Sequence, residues 1–400
     1  MLDWSRRRLL AAVGTAGAVG AGGWALAERT RCRPFVEPQW TYVGRRRLGP
    51  TVRSGNDLLL PEGYGVTGSS TDHRLAAVEP FSAQVQWAVV AEGGGFGVPV
   101  RVDDTVYVGT GRDTVRALDA DTGERRWIYD PGGREEHGGG AWGQPLVTGD
   151  RVLVGVSHST DPNADPTDPD EFAHRVVALD RNDGSEVWAT PVSGQVWTGP
   201  ALASGVVVAA ARQGVLHGLD PATGESLWGV SLPDRVTQPV SIVADGVLAV
   251  VADDGTVAFV DVPDATIRRT RNPVRDATSL AHSGDTLYVG GAEGRVAALA
   301  TDIDGGIDAE TGAPRWTYDA EVPVDGVAVA GETVFAIDRT GHRHRIVDGE
   351  RTARDRLVET EHTDGCGWDG NLRRVLDATV VRGGLYIAGR FWTRLYPIER

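Results

Sequence analysis

Four aromatic residues recur in glycine-rich or glycine-flanked settings along this sequence, in Gly95-Phe96-Gly97-Val98-Pro99, Ala141-Trp142-Gly143-Gln144-Pro145, Val196-Trp197-Thr198-Gly199-Pro200 and Gly367-Trp368-Asp369-Gly370-Asn371. Large flat rings on backbone of this kind can stack on a planar ligand or grip a peptide, and they can equally form an apolar plug. His137 lies in the long loop 130–142 and adds a titratable imidazole close to Trp142. That loop reads either as a specificity element or as a solvated insertion.

Two further constellations could bind metal. Asp161, Asp165, Asp168 and Asp170 crowd one proline-rich stretch, a carboxylate density that could hold calcium, although the Gly and terminal Glu of an EF-hand loop are missing. A hydrated acidic surface loop has the same composition, and the segment 302–310 carries the same ambiguity. His342 and His344 stand two apart, which on a strand puts both on one face, a geometry that could chelate a transition metal. No third ligand is identifiable beside them. Gly-x-Ser-x-Gly, Walker and His-Glu-x-x-His patterns do not occur, so hydrolase and nucleotide chemistry have no support.

These residues are positioned by a repeat. Asp119 to Trp127, Asp180 to Trp188, Asp220 to Trp228 and Asp308 to Trp316 share one template, Asp followed four residues later by Gly and eight residues later by Trp. Glu79 before Trp87 and Asp261 before Arg269 keep the register as worn copies. The Asp can accept backbone N–H groups across a turn, the Gly can supply positive φ, and the Trp can wedge the returning strand, so these residues read as structural. Short β-rich strands precede each turn, as in Val106 to Gly109 and Val115 to Leu118. Four strands at a period of roughly 40 residues make a propeller blade, which must stack on neighbours to bury its faces.

Opening strands are expected near Leu58, Val98, Gln144, Pro200, Pro239, Thr278, Asp325 and Leu376. The last unit runs out after three strands. Residues 39–43 resemble the Trp-led fourth strand of the others, and they are expected to pair with residues 391–396 and close the ring, removing its free edges. The predicted fold is all-β, an eight-bladed propeller of four-stranded antiparallel blades spanning 39–400.

The chain carries a formal charge of -15 and has no lysine. That balance argues against a nucleic-acid partner. It is the composition of a salt-adapted, acidic-surfaced protein from a halophile, while a GC-rich genome favouring Arg codons would also remove Lys. Ser5-Arg6-Arg7-Arg8 ahead of the mild apolar run Ala11 to Ala27 looks like a twin-arginine export signal. Residues 1–27 are assigned to it and 28–38 to a linker. The alternative is an uncleaved membrane anchor. Cys32 has no lipobox before it, and whether it pairs with Cys366 stays open.

The Ala-Leu-Asp-x-x-Thr-Gly-x-x-x-Trp string of Ala117 to Trp127 resembles the repeat of the pyrroloquinoline-quinone (PQQ) type propeller family. That family includes calcium- and PQQ-dependent alcohol dehydrogenases and non-catalytic scaffolds such as the propeller lipoprotein of the outer-membrane assembly machinery. The resemblance implies that the opening strands line a central channel and that the loops entering them rim one face. Phe96, Trp142, Trp197 and Trp368, with His137, would then ring the channel mouth as a binding surface or as its plug. Family dehydrogenases set two adjacent cysteines over the quinone, whereas here the cysteines stand at 32 and 366, and no Cys-x-x-Cys-His exists for haem. The expectation is therefore an exported, monomeric, cofactor-free propeller that binds an extracytoplasmic protein or small ligand. A PQQ dehydrogenase with calcium is the alternative.

Overall fold

Strands of one kind recur at fixed radial positions in the computed structural model, which describes residues 38–43, 48–65, 73–91, 94–112, 114–131, 139–159, 161, 171–301, 313–357, 375–381, 384–389 and 392–398. The second strands are apolar on both faces: Thr105–Gly109 and Val247–Val251 are buried at every position. Such continuous runs belong to strands sandwiched between two layers. Outer strands alternate instead, as Thr266–Arg271 does between exposed and half-buried residues, because one of their edges faces water.

The strands assemble into eight four-stranded antiparallel sheets, the blades of a propeller. Their opening strands are Val52–Ser54, Val100–Val102, Leu146–Thr148, Ala201–Ala203, Ser241–Ala244, Ala277–Ser283, Val324–Ala330 and Val375–Val381. Blade 1 thus begins earlier than the sequence reading placed it, and Leu58 belongs to its second strand, Asp57–Pro61. The true opening strand is only three residues long, with a single apolar side chain at Val52.

Ring closure follows the expected route. Trp40–Val43 runs antiparallel to Trp392–Pro397 as the fourth strand of blade 8, with Trp40 opposite Leu395 and Val43 opposite Trp392. Eight buried apolar clusters occupy the junctions, one between each pair of neighbouring blades, including blade 8 against blade 1. At that last junction Tyr42 donates to Glu62 Oε1 at 3.3 Å, and Arg74 reaches both Glu62 (3.0 Å) and the Tyr42 hydroxyl (2.7 Å). Burial, with the adjacent Glu62 carboxylate, pushes the Tyr42 phenol up to about 12. The phenol therefore remains a donor across the accessible pH range and ties the closing strand to blade 1.

The turn template works as its residue types imply. Asp119 Oδ1 accepts the N–H groups of Asp121 and Thr122 at 3.1 and 3.0 Å, and Asp220 Oδ1 those of Ala222 and Thr223 at 2.9 and 2.8 Å. In the worn copies Glu79 Oε2 takes the N–H groups of Phe81 and Ser82, and Asp261 Oδ1 that of Asp264. The Gly position, however, is filled by alanine in both worn turns, and Ala83 and Ala265 hold φ values of 56° and 53°. A left-handed non-glycine residue costs about 1–2 kcal/mol, partly offset by the lower chain entropy of Ala in the unfolded state. Ala265→Gly should accordingly stabilise the fold by about 0.5–1 kcal/mol. Denaturant titration at fixed salt reads this directly, and a lower midpoint would show that the Ala265 methyl contributes more than its backbone costs.

Candidate functional site

Chain reversal within each antiparallel blade puts the loops entering the opening strands on the same face as the loops joining second to third strands. The two loop types interlock through isolated bridges, Phe96 with Thr110, Gly140 with Ser157 and Val236 with Ala252. Backbone pairing thus holds Phe96 directly, and Trp142 through its carbonyl, which accepts the Val98 N–H at 3.0 Å.

Trp142 and Trp197 are brought together, with ring centroids 6.0 Å apart and planes 35° apart. A third ring completes the group. Tyr64 lies edge-on to Trp142 at 6.1 Å and 74°, and to Trp197 at 5.9 Å and 80°. Tyr64 comes from the loop following the second strand of blade 1, whereas Trp197 enters blade 4, so their contact reaches past two intervening blades across the face. Trp142 is only 1% exposed and forms the floor. Tyr64 and Trp197 are half-buried. The Arg212 guanidinium stacks 5.5 Å from the Trp197 ring centre. Gly65 takes a left-handed φ of 72°, which favours glycine, and a Cβ there would only touch the Trp197 ring at an ordinary 3.7 Å.

Phe96 goes elsewhere. It is fully buried in the cluster between blades 1 and 2, with Leu59, Leu75 and Val106, and its N–H donates to Glu62 O at 3.0 Å. Its role is packing. Trp368, His137, Asp165, Asp168 and Asp170 lie outside the described residues, as do the segments 1–37 and 302–312 and both cysteines. Asp161 is described, and its backbone N–H donates to Ser159 Oγ at 3.2 Å. Among the described residues no three His, Cys, Asp or Glu side chains converge as metal ligands.

His342 and His344 do lie on one strand, His342–Val347, but Asp338 takes both. His344 is fully buried between Asp338 Oδ2, 2.9 Å from its Nε2, and the Tyr318 hydroxyl, 2.6 Å from its Nδ1. His342 Nδ1 lies 3.6 Å from the same carboxylate oxygen and 2.9 Å from Thr340 Oγ1. This is a buried polar network of blade 7, tied to blade 6 through Tyr318.

Sequence reasoning missed Tyr64 and Arg212. Gly63-Tyr64-Gly65 has the same glycine-flanked aromatic pattern as Gly95-Phe96-Gly97, but it follows a second strand, outside the loops that lead into opening strands.

A family model described as outer membrane protein assembly factor BamB matches residues 39–163 and 173–306. Outer membrane protein assembly factor BamB of Yersinia pestis is 24% identical over 303 residues, covering 71% of this chain and 69% of that relative. Among solved structures, BamB from Moraxella catarrhalis superposes with a TM-score of 0.61 at 18% identity, covering 90% of this chain and 97% of that one. Quinohemoprotein alcohol dehydrogenase from Comamonas testosteroni gives a TM-score of 0.64 at 12% identity, covering 91% of this chain and 76% of that one. At these identities both structural likenesses speak for the fold alone.

Proposed function

The chain belongs to the outer membrane protein assembly factor BamB family, and from that premise we propose that it is an exported, non-catalytic scaffold whose loop face holds a protein partner outside the cytoplasmic membrane. The observation that carries this reading is the Tyr64, Trp142 and Trp197 group with Arg212 stacked on its edge. Trp142 is sealed beneath and gives the group a rigid floor. Trp197, Tyr64 and Arg212 offer flat apolar area and a fork of donors at little cost in side-chain freedom, the residue types that dominate interface anchor points. A rigid propeller that presents such an anchor from its loops needs no bond-making step and no cofactor to act as a scaffold. Export rests on the Arg6-Arg7 signal read in residues 1–27.

Partner capture by the exported protein tests the proposal. Tyr64→Ala and Arg212→Ala should each weaken capture about tenfold, the typical cost of losing an anchor side chain, with thermal midpoints close to that of the parent. Trp142→Ala should destabilise the domain itself. Parent-like capture by both surface variants would remove the aromatic group as the working surface. Saturable binding of PQQ with calcium, read by tryptophan fluorescence and followed by alcohol-dependent dye reduction, would instead establish the dehydrogenase reading.

A further inference from the structure

The loop 192–200 leads from blade 3 into blade 4 and carries Trp197, and its first half hangs on one imidazole. His217, on the third strand of blade 4 (Val215–Leu219), takes two hydrogen bonds from Ser193 at the same nitrogen. The Ser193 backbone N–H lies 3.2 Å from Nε2 and the Ser193 hydroxyl 2.9 Å from it. A backbone N–H can only donate, so Nε2 is bare and the ring proton sits on Nδ1. The same stretch is pinned onward to the anchor group. Gln195 O accepts the Arg212 N–H at 2.8 Å, and Gly194 lies so near the Gln213 side chain that a Cβ would collide with it. The Arg212 guanidinium in turn stacks on Trp197.

We propose that His217 is a proton switch on this loop, so that the Tyr64, Trp142 and Trp197 group holds its partner at neutral pH and releases it in acid; the inference rests on the scaffold reading above. A proton on Nε2 turns the acceptor into a donor aimed at another donor, the Ser193 N–H, and both hydrogen bonds are lost together. Ser193 is exposed, so water takes up the freed groups. The next tie along the loop is Gln195 on Arg212, and movement at Ser193 therefore passes to both Arg212 and Trp197.

The surroundings leave the switch to His217. Strand alternation turns His217 with Leu219 toward blade 3, and His174 with Val176 and Ala178 toward blade 4, so both imidazoles face one junction. His174 Nδ1 is 2.9 Å from Ser157 Oγ, and the His174 carbonyl accepts the N–H of Val192, the residue before Ser193, at 3.0 Å. Ala209 and Gly229 stand opposite His217 on its own sheet. Loop 192–200 has no titratable side chain, and Arg212 is the charged residue of the facing loop 212–214. Burial lowers the His217 pKa without help from a neighbouring charge. A histidine depressed in this way keeps its Ser193 contacts fully above its ordinary value, about 6.5, and loses them as pH falls through the folded value. Capture then excludes the proton, and by reciprocity a bound partner pushes the His217 titration lower still.

Hydrogen exchange of the full chain, corrected for its intrinsic pH dependence, reads the switch without a partner. Protection of the Ser193 and Arg212 amides should fall about three- to tenfold between about pH 7.5 and about pH 5. His217→Gln offers a carbonyl oxygen in place of Nε2 and does not titrate, so it should abolish that difference, whereas His174→Gln should leave it in place. Retention of extracytoplasmic proteins on the immobilised chain should fall by a similar factor over the same pH interval, and His217→Gln should remove the fall. Equal protection at both pH values in the parent overturns the proposal, as does a difference that persists in His217→Gln or vanishes in His174→Gln. Retention that ignores pH while the amides respond overturns it too. Absence of retention at both pH values, with the exchange difference intact, would instead remove the scaffold reading and leave the loop switch standing.

Discussion

Replacing Asp338 by alanine should lower the stability of the domain by about 3–5 kcal/mol, the usual cost of stripping one partner from a buried charged network. Its side chain is fully buried, and five donors converge on it. Oδ1 accepts the N–H of Thr340 at 2.8 Å, the Thr340 hydroxyl at 2.7 Å and the N–H of His342 at 3.0 Å. Oδ2 faces His344 Nε2 at 2.9 Å and the Arg354 guanidinium at 3.3 Å. Alanine leaves the fully buried His344 Nε2 without its carboxylate, where an unmade hydrogen bond costs more than a made one gains, while the half-exposed Arg354 and His342 side chains can turn to water. Asparagine would keep the Oδ1 contacts but aim an amide N–H₂ at two donors, so its loss should fall between. Guanidinium titration at fixed salt checks the order, and an alanine variant within about 1 kcal/mol of the parent would mean that water enters and replaces the carboxylate.

The same carboxylate sets a pH signature. Burial alone would raise its pKa, but hydrogen bonds from His342, His344, the His342 backbone and Thr340 outweigh burial and hold it well below the ordinary carboxylate range. A group whose folded pKa is depressed contributes its stability above its unfolded value, about 3.9 for Asp, and loses it as pH falls through the folded value. The part of the gap between parent and Asp338→Ala that comes from ionising this carboxylate should therefore be fully present above about pH 5 and narrow below about pH 4.

Much of this architecture was legible because it is local. The Asp–Gly–Trp template, with its two worn copies, fixes one turn in each of six blades by spacing, and residues 39–43 could be assigned to blade 8 because they repeat the Trp-led fourth strand that the C-terminal unit lacks. What was not legible depends on contacts between segments far apart in sequence. Phe96 and Trp197 occupy matching loop positions, yet Phe96 is swallowed by the apolar residues that blades 1 and 2 present to it, while Trp197 meets Tyr64 from blade 1. No periodicity links those loops. For His342 and His344 the strand geometry was read correctly, but the decisive group was Asp338, at the preceding turn, which accepts from both the backbone and the imidazoles. The opening strand of blade 1 was missed because Val52-Arg-Ser54 carries too little apolar pattern to be seen alone.

Gly184→Ala should cost about 2–4 kcal/mol, the sum of left-handed backbone strain and overpacking. Gly184 has a φ of 75°, and a Cβ there would lie 2.5 Å from Trp127 Cε3 of the preceding blade. The Trp127 indole N–H donates to Arg181 O in the same turn at 3.0 Å, so the tryptophan of one blade is both hydrogen-bonded and stacked flat onto the turn of the next. The pattern repeats with Trp87 on Gly123 and Ala120 O, and with Trp188 on Gly224 and Pro221 O. A methyl group at Gly184 must therefore push blades 2 and 3 apart or displace Trp127 from its pocket. Gly205 separates the two contributions. Its φ is 77°, but an added Cβ would have nothing within 4 Å. Gly205→Ala should consequently show only the backbone part, about 1–2 kcal/mol. Trp127→Ala alone should cost about 3–5 kcal/mol through the cavity it leaves. Combined with Gly184→Ala it should cost clearly less than the two single losses together, because the clash disappears with the ring. Denaturant titrations of these four variants settle the matter. Equal losses at Gly184 and Gly205, or strict additivity of Gly184→Ala with Trp127→Ala, would mean that the turn and the tryptophan do not dock and that the blades are held by their apolar clusters alone.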